Sequence, residues 1–174
     1  SLKIKNNIID SNQYGIICGR CEVFGNTVTN NEYQGSGTGI QTYSKSSVHD
    51  NTVSGNYKGI GLSSDNLAFR NTISNNDHGL SASNLSYVSE NNFLNNAVQA
   101  TGTSTGSAFF DKLYNWSWGN PVHTGNSGNY WNDYSHLCDD TNADNICDDP
   151  YPFSGGSINV NDNYVWTVQD GWLS

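Results

Sequence analysis

Oxygen-bearing side chains are crowded into one short stretch near the C-terminal end of this chain: Asp140, Asn142, Asp144, Asp148 and Asp149. The alternation at 140, 142 and 144, with the carbonyl of Ile146 next in line, follows the first half of an EF-hand loop. There, side-chain oxygens at positions 1, 3 and 5 and a backbone oxygen at position 7 hold the ion. Asn145 stands where that loop uses Gly, a corner Asn can also turn. Tyr151 stands where it uses Glu, so Asp148 or Asp149 has to close the shell. Carboxylate and amide oxygens suit a hard dication, and Ca2+ tolerates irregular coordination better than Mg2+. A structural calcium site is therefore expected from Asp140, Asn142, Asp144, Ile146, Asp148 and Asp149; an acidic, turn-rich surface loop is the plainer alternative.

Cys138 and Cys147 bracket that loop, and bridged they would pin it by restricting the unfolded chain. Cys18 and Cys21 form a C-x-x-C near the N-terminus, a spacing used in redox chemistry and in half of many zinc sites. Zinc needs a second matching pair, and C-x8-C is a poor one. Three connectivities are open to four cysteines. Two local disulfides, 18–21 and 138–147, are the simplest, and they point to an oxidising compartment. The sequons Asn84-Leu85-Ser86 and Asn115-Trp116-Ser117 agree weakly with that setting, since Asn and Ser are abundant here.

Other chemistry is thinner. Stacking the repeats described below sets Asp50, Arg70 and Glu90 in one column, which reads as a catalytic cluster or, more plainly, as a ladder of opposite charges. Asp10, Asp65 and Asp77 make no pair, so no catalytic constellation is visible. His49, His78, His123 and His136 share no ligand spacing. Trp116, Trp118, Tyr130, Trp131, Tyr134 and Trp166 gather towards the C-terminal end. The first five of these are candidate glycan-binding residues, because exposed aromatic faces stack on sugars. Covering the last turn of a solenoid is the alternative use for them.

What must position these residues is a repeat. Asn-x-aliphatic (or Phe)-x-x-Asn begins at Asn7, Asn26, Asn51, Asn71 and Asn91 and ends at Asn12, Asn31, Asn56, Asn76 and Asn96. A self-similar unit of this length means a solenoid. Three residues before each first Asn stand Ile4, Val23, Val48, Ala68 and Val88, and two after it Ile9, Val28, Val53, Ile73 and Phe93. A Gly-aliphatic step follows at Gly15-Ile16, Gly39-Ile40, Gly59-Ile60 and Gly79-Leu80, displaced once by an insertion around Glu32 to Ser36. Cys18, Thr42, Leu62 and Ala82 come two positions later. Short β-branched runs between turn formers are strands, and three per unit describe an all-β, right-handed parallel β-helix of about five coils of ~20 residues. Asn tolerates left-handed corners. Stacked copies at Asn26, Asn51, Asn71, Asn91 and at Asn31, Asn56, Asn76, Asn96 are expected to bond along the axis as ladders. Gly supplies either positive φ or close approach. Residues 1–100 form the repeats, and 101–174 an irregular, aromatic-rich C-terminal cap, within one structural domain.

Composition is compatible. The 174 residues include 34% hydrophobic residues, 18 Gly, no Met and only 7 Lys plus Arg, with net charge −9 and pI near 4.5. Acidity on that scale argues against nucleic acid or an anionic membrane as partner, and no apolar stretch is long enough to span a bilayer. No secretory signal is visible. The first coil begins at once, without a cap. Solenoid ends need cover, so either the chain is a mature product or a piece of something longer, or its open end stacks on a partner, including end-to-end self-assembly.

The coils, then Gly128-Asn129-Tyr130-Trp131-Asn132-Asp133-Tyr134, and then the run from Asp139 to Tyr151, together resemble the NosD-like, CASH-domain group of right-handed β-helix proteins. These belong to the pectin-lyase-like superfamily. The coils are generic, whereas the tail from GNYW to DPY is more specific. The chain keeps Asp148-Asp149-Pro150-Tyr151 and Asp162-Asn163-Tyr164 but has Val165 where the group usually has Pro, and Asn145 and Cys147 replace loop glycines. The resemblance implies a secreted, periplasmic or cell-surface β-helix. Many members are described as copper proteins, a role that transfers badly to a chain without Met and with dispersed histidines. The sequence thus predicts a non-enzymatic extracytoplasmic module with a structural Ca2+, serving surface structure and assembly or binding a polysaccharide or a surface protein. A polysaccharide lyase or hydrolase is the alternative.

Overall fold

A computed structural model of the chain describes residues 2–83, 85–102, 128–134, 137–151, 162 and 164–173. Sixteen strands are present among them. Fifteen form five coils of three. Strands β1 (Leu2–Lys5), β2 (Ile8–Asp10) and β3 (Tyr14–Cys18) make the first coil, and β4 (Cys21–Phe24), β5 (Thr27–Thr29) and β6 (Thr38–Thr42) the second. The third holds β7 (Ser47–His49), β8 (Thr52–Ser54) and β9 (Lys58–Leu62), and the fourth β10 (Leu67–Phe69), β11 (Thr72–Ser74) and β12 (His78–Ala82). The fifth holds β13 (Tyr87–Ser89), β14 (Asn92–Leu94) and β15 (Val98–Gly102), with β16 (Tyr130–Trp131) beyond it. Each strand pairs in parallel with its equivalent one coil on, giving three sheets in the orders β1-β4-β7-β10-β13, β2-β5-β8-β11-β14-β16 and β3-β6-β9-β12-β15. The chain is a parallel β-helix. Strand β16 (Tyr130–Trp131) adds a sixth member to the second sheet by pairing with β14.

The register puts the repeat's apolar positions directly over one another. Ile4, Val23, Val48, Ala68 and Val88 form one inward row, and Ile9, Val28, Val53, Ile73 and Phe93 a second, continued by Trp131. Ile16, Ile40, Ile60, Leu80 and Ala100 form the third. From the second coil on, these residues are nearly inaccessible. The insertion in the second coil closes on itself through Tyr33 and Ser36, whose backbones exchange hydrogen bonds, so the register survives it.

Two Asn ladders run inside the corners. Asn26 N–H and its Nδ2 both donate to Asn51 Oδ1, each at 3.0 Å. The same pair of bonds recurs from Asn51 to Asn71 and from Asn71 to Asn91. The second ladder links Asn12, Asn31, Asn56, Asn76 and Asn96 in the same sense. Each amide nitrogen also reaches backbone carbonyls: Asn71 Nδ2 donates to Val48 O and Phe69 O.

The left-handed residue at each corner is the one before the ladder Asn, not the ladder Asn itself. Asn6, Gly25, Asp50, Arg70 and Glu90 have φ of 53–63°, and so do Ser11, Asn30, Asn75 and Asn95, with Gly55 at 65°. A left-handed residue there reverses the chain so that the next side chain, the ladder Asn, turns inward. This corrects the expectation that the ladder asparagines themselves take the left-handed conformation. The glycine column works by close approach: a Cβ on Gly59 would sit 2.5 Å from Gly79 O.

Asn71→Ala removes the acceptor of Asn51 N–H and Nδ2 and leaves buried carbonyls unpaired. Urea denaturation is expected to show a loss of at least about 3 kcal/mol, against about 0.5 kcal/mol or less for the exposed Thr52→Ala. Equal losses for the two would remove the ladder from the account of stability.

Candidate functional site

A polar ladder needs a different group at its last rung, because the final Asn has no next coil to accept its N–H groups. Both ladders end at the C-terminal side on side chains that supply an oxygen. The first continues from Asn91 to Asn129 Oδ1, at 3.1 Å from the backbone N and 3.0 Å from Nδ2. Asn129 then donates through both its N (2.8 Å) and Nδ2 (2.9 Å) to Asp162 Oδ2. The same oxygen takes the Trp131 indole N–H at 2.9 Å, and Asp162 Oδ1 takes Tyr164 N–H. The second ladder ends where Asn96 Nδ2 donates to Gln99 Oε1 at 2.8 Å, and Gln99 Nε2 passes the chain to Asn132 Oδ1 at 2.7 Å. Gln99 follows Gly79 in the glycine column, and a side chain fits there because the stack of close-approaching glycines ends with it.

Asp162 is fully buried. Burial pushes its carboxyl up to about 7, against the opposing pull of the Asn129, Trp131 and Tyr164 donors. Its neighbour Trp131 is also fully buried, stacked between Phe93 at 4.1 Å and Tyr151 at 4.2 Å. This corrects the assignment of Trp131 as a glycan-binding face: both faces of its indole are taken, and it closes the apolar row. Tyr130 and Tyr134 are half-buried, and Tyr134 meets Tyr151 edge to face. Burial, with Asp133 beside it, holds the Tyr151 phenol above its usual range, and its hydroxyl donates to Asp133 Oδ2 at 3.0 Å. Trp116 and Trp118 lie outside the described residues.

The Asp-rich loop hangs from this cap. Cys138 is bonded to Cys147, and Cys18 to Cys21. Cys147 N donates to Val165 O, and Thr167 N to Asn145 O, fixing the loop to the last segment. Asp140 Oδ1 and Asn142 Oδ1 both accept Asp144 N–H, at 3.2 and 3.1 Å, while Asp144 Oδ1 accepts Ile146 N–H. Asp148 instead accepts Thr141 N–H and its hydroxyl; the backbone bond first, then the hydroxyl, holds its carboxyl below the usual range. Asp149 is exposed beside it. Among the described residues no three His, Cys, Asp or Glu side chains group as a metal site.

On the solenoid, Arg70 Nε donates to Glu90 at 2.8 Å, with Glu90 buried, whereas Asp50 lies 2.7 Å from His49 Nδ1. His49 is stacked between Phe24 and Phe69 and approaches Glu22, which also pairs with Lys3. Burial works against the Glu22 charge, but Lys3 and His49 outweigh it and hold its carboxyl low. The signal that sequence reading missed is Asp162, which lies 33 positions from Asn129 with no repeat to relate them. Only its resemblance to a ladder Asn, with an amide replaced by a second acceptor, hints at its role.

Fold, disulfides and ladder ends define a disulfide-bonded parallel β-helix module. The sequence model of the family described as periplasmic copper-binding protein (NosD) matches residues 1–136, and the chain belongs to that family. No curated protein and no solved structure matches it. The described residues do not make a copper site: the chain has no Met, the four cysteines are in disulfides, and His49 and His78 sit in different sheets, on β7 (Ser47–His49) and β12 (His78–Ala82). Soft-metal binding needs such donors together. His123 and His136 lie outside the described residues.

The folded protein holds the Asp162 proton up to about pH 7, while the unfolded chain releases it near the ordinary value of 3.8. Stability from this site is therefore full below about pH 4 and falls as pH rises to about 7. Subtracting the pH profile of Asp162→Asn from that of the native protein is expected to leave a decline between about pH 5 and 7. A flat difference would mean the carboxyl does not titrate there.

Proposed function

We propose that the protein is a non-enzymatic, extracytoplasmic β-helix module for surface structure and assembly or for glycan or protein binding, with a structural calcium ion in the loop from Asp140 to Asp149. Its main support is the fate of the carboxylates. Glycosidic cleavage uses two acids facing one groove, one of them holding a proton. Here Glu22 is tied to Lys3 and His49, Glu90 to Arg70, and Asp50 to His49. Asp162 has the raised proton affinity of an acid catalyst but is buried at the ladder end.

Calcium is supported by the clustering of Asp140, Asn142 and Asp144 around shared N–H groups and by the disulfide and backbone bonds that fix the loop. The left-handed Ala143 and Asn145 curl it. Asp148 would have to release Thr141 to join the shell, or Asp149 would take its place.

At a calcium concentration about 100-fold above the dissociation constant, the bound ion adds about 2.7 kcal/mol. Removing it with a chelator is expected to lower the melting temperature by about 5–10 °C. Asp140→Asn should abolish that difference. An unchanged melt in chelator would sink the structural calcium site.

Incubation with acidic and neutral polysaccharides, scoring retention and soluble product, tests the rest. Retention without release assigns glycan binding, with Tyr130→Ala weakening it, and no retention leaves structure or assembly. Released oligosaccharide would overturn the non-enzymatic reading and favour a lyase or hydrolase.

A further inference from the structure

The three sheets do not treat their outward side alike. Residues on either side of an inward one face out, and in the middle of the second sheet the inward residues are Val28, Val53 and Ile73. Their neighbours are Thr27 and Thr29 on β5, Thr52 and Ser54 on β8, and Thr72 and Ser74 on β11. The register stacks these into two files, Thr27-Thr52-Thr72 and Thr29-Ser54-Ser74. All six are β-hydroxy residues. The same three coils follow no such rule elsewhere. Outward files of the first sheet run Glu22-Ser47-Leu67 and Phe24-His49-Phe69, and one of the third runs Gln41-Gly61-Ser81. Contact with solvent asks only for polarity, so one residue class filling both files needs another reason.

The files make a small lattice. Neighbouring coils are about 4.8 Å apart, and successive outward residues of one strand about 6.6 Å. Water oxygens on a face of ice repeat on the same scale. Thr has few χ1 states, so an array of it is ordered before anything binds. Among the described residues, Thr29 alone of the six commits its hydroxyl to the protein, donating to Asp10 Oδ1 at 2.7 Å. Thr27 and Thr52 are exposed and the other four half-buried. None of the six is charged, in a chain of net charge −9; a charge would draw water radially around itself and break an ordered layer. None is aromatic either, so these files lack the ring faces that stack on sugars. The array spans three coils, with Ile8 and Asp10 beside it in the first coil and Asn92 and Leu94 in the fifth.

We propose that this face of the second sheet binds ice, its hydroxyls and methyls holding a layer of ordered water that merges with the crystal surface. The inference goes beyond the reading above and uses neither the calcium loop nor the cap aromatics. A failed calcium or polysaccharide experiment therefore leaves it untouched.

Ice grown slowly from a solution of the native chain is expected to take the protein up, where an inert protein stays in the liquid. Fine-grained ice held just below melting should also coarsen more slowly in its presence. Thr52→Lys puts a charge at the centre of one file and is expected to abolish both effects. Thr27→Lys, at the other exposed position of that file, repeats the test independently. Ser81→Lys puts the same charge on the third sheet and should leave both effects unchanged. Lys3 and Lys58 already stand on strands of this helix, so the fold accepts such side chains, and circular dichroism with melting checks each variant. A native chain left in the liquid would overturn the proposal. So would uptake that both file substitutions leave intact, or that Ser81→Lys removes equally, since either places the contact elsewhere. Retention on crystalline cellulose or chitin without uptake into ice would overturn it too, because the array would then read a polysaccharide surface.

Discussion

The structure depends on one directional interaction: the amide oxygen of each corner Asn accepts two N–H groups from the coil before it. Because the bond has a sense, the ladder has a beginning and an end that are chemically different. Burial makes it demanding, since a buried donor without an acceptor costs about 1–3 kcal/mol. The coils can be thin, with a few Val, Ile or Leu side chains each, because the polar corners are satisfied along the axis. The left-handed residue before each ladder Asn is what aims its amide inward, and residues as unsuited to that conformation as Arg70 and Glu90 are held there by the coils on either side.

The cap follows from the same constraint. The ladders need terminal acceptors, and Asp162 and Gln99 provide them; the apolar rows need cover, and Trp131 and Tyr151 provide that. Trp131 joins the two tasks, its ring lying over Phe93 and its N–H on Asp162. The acidic loop is secured to this closing layer through Val165 and the Cys138–Cys147 bond, which sets it beyond the fifth coil.

Family membership and chemistry separate at this point. The chain belongs to a family described as copper-binding, yet its described donors are hard oxygens, paired cysteines and separated histidines. Glu22, Asp50 and Glu90 are engaged with cationic or imidazole side chains, Asp148 with the Thr141 hydroxyl and Asp162 with the ladder amide of Asn129. A fold of this kind presents side chains in columns, so a residue that breaks its column stands out against its neighbours one coil away.

The repeat, the three inward rows, the parallel β-helix and the column that holds Arg70 beside Glu90 were all legible in the residue spacing. Each follows from period: a residue in a coil meets its equivalents in the adjacent coils, so reading the spacing is reading the contacts. The Gly59 column was legible for the same reason. The features that emerge only on folding are aperiodic. Asp162 meets Asn129 and Trp131 across a stretch with no repeat, Gln99 takes its role from the end of a glycine stack, and Trp131 is buried where its composition alone suggested a binding face. The left-handed position fell one residue earlier than Asn preference suggested, because the next coil fixes the corner and overrides the local propensity of the residue that occupies it.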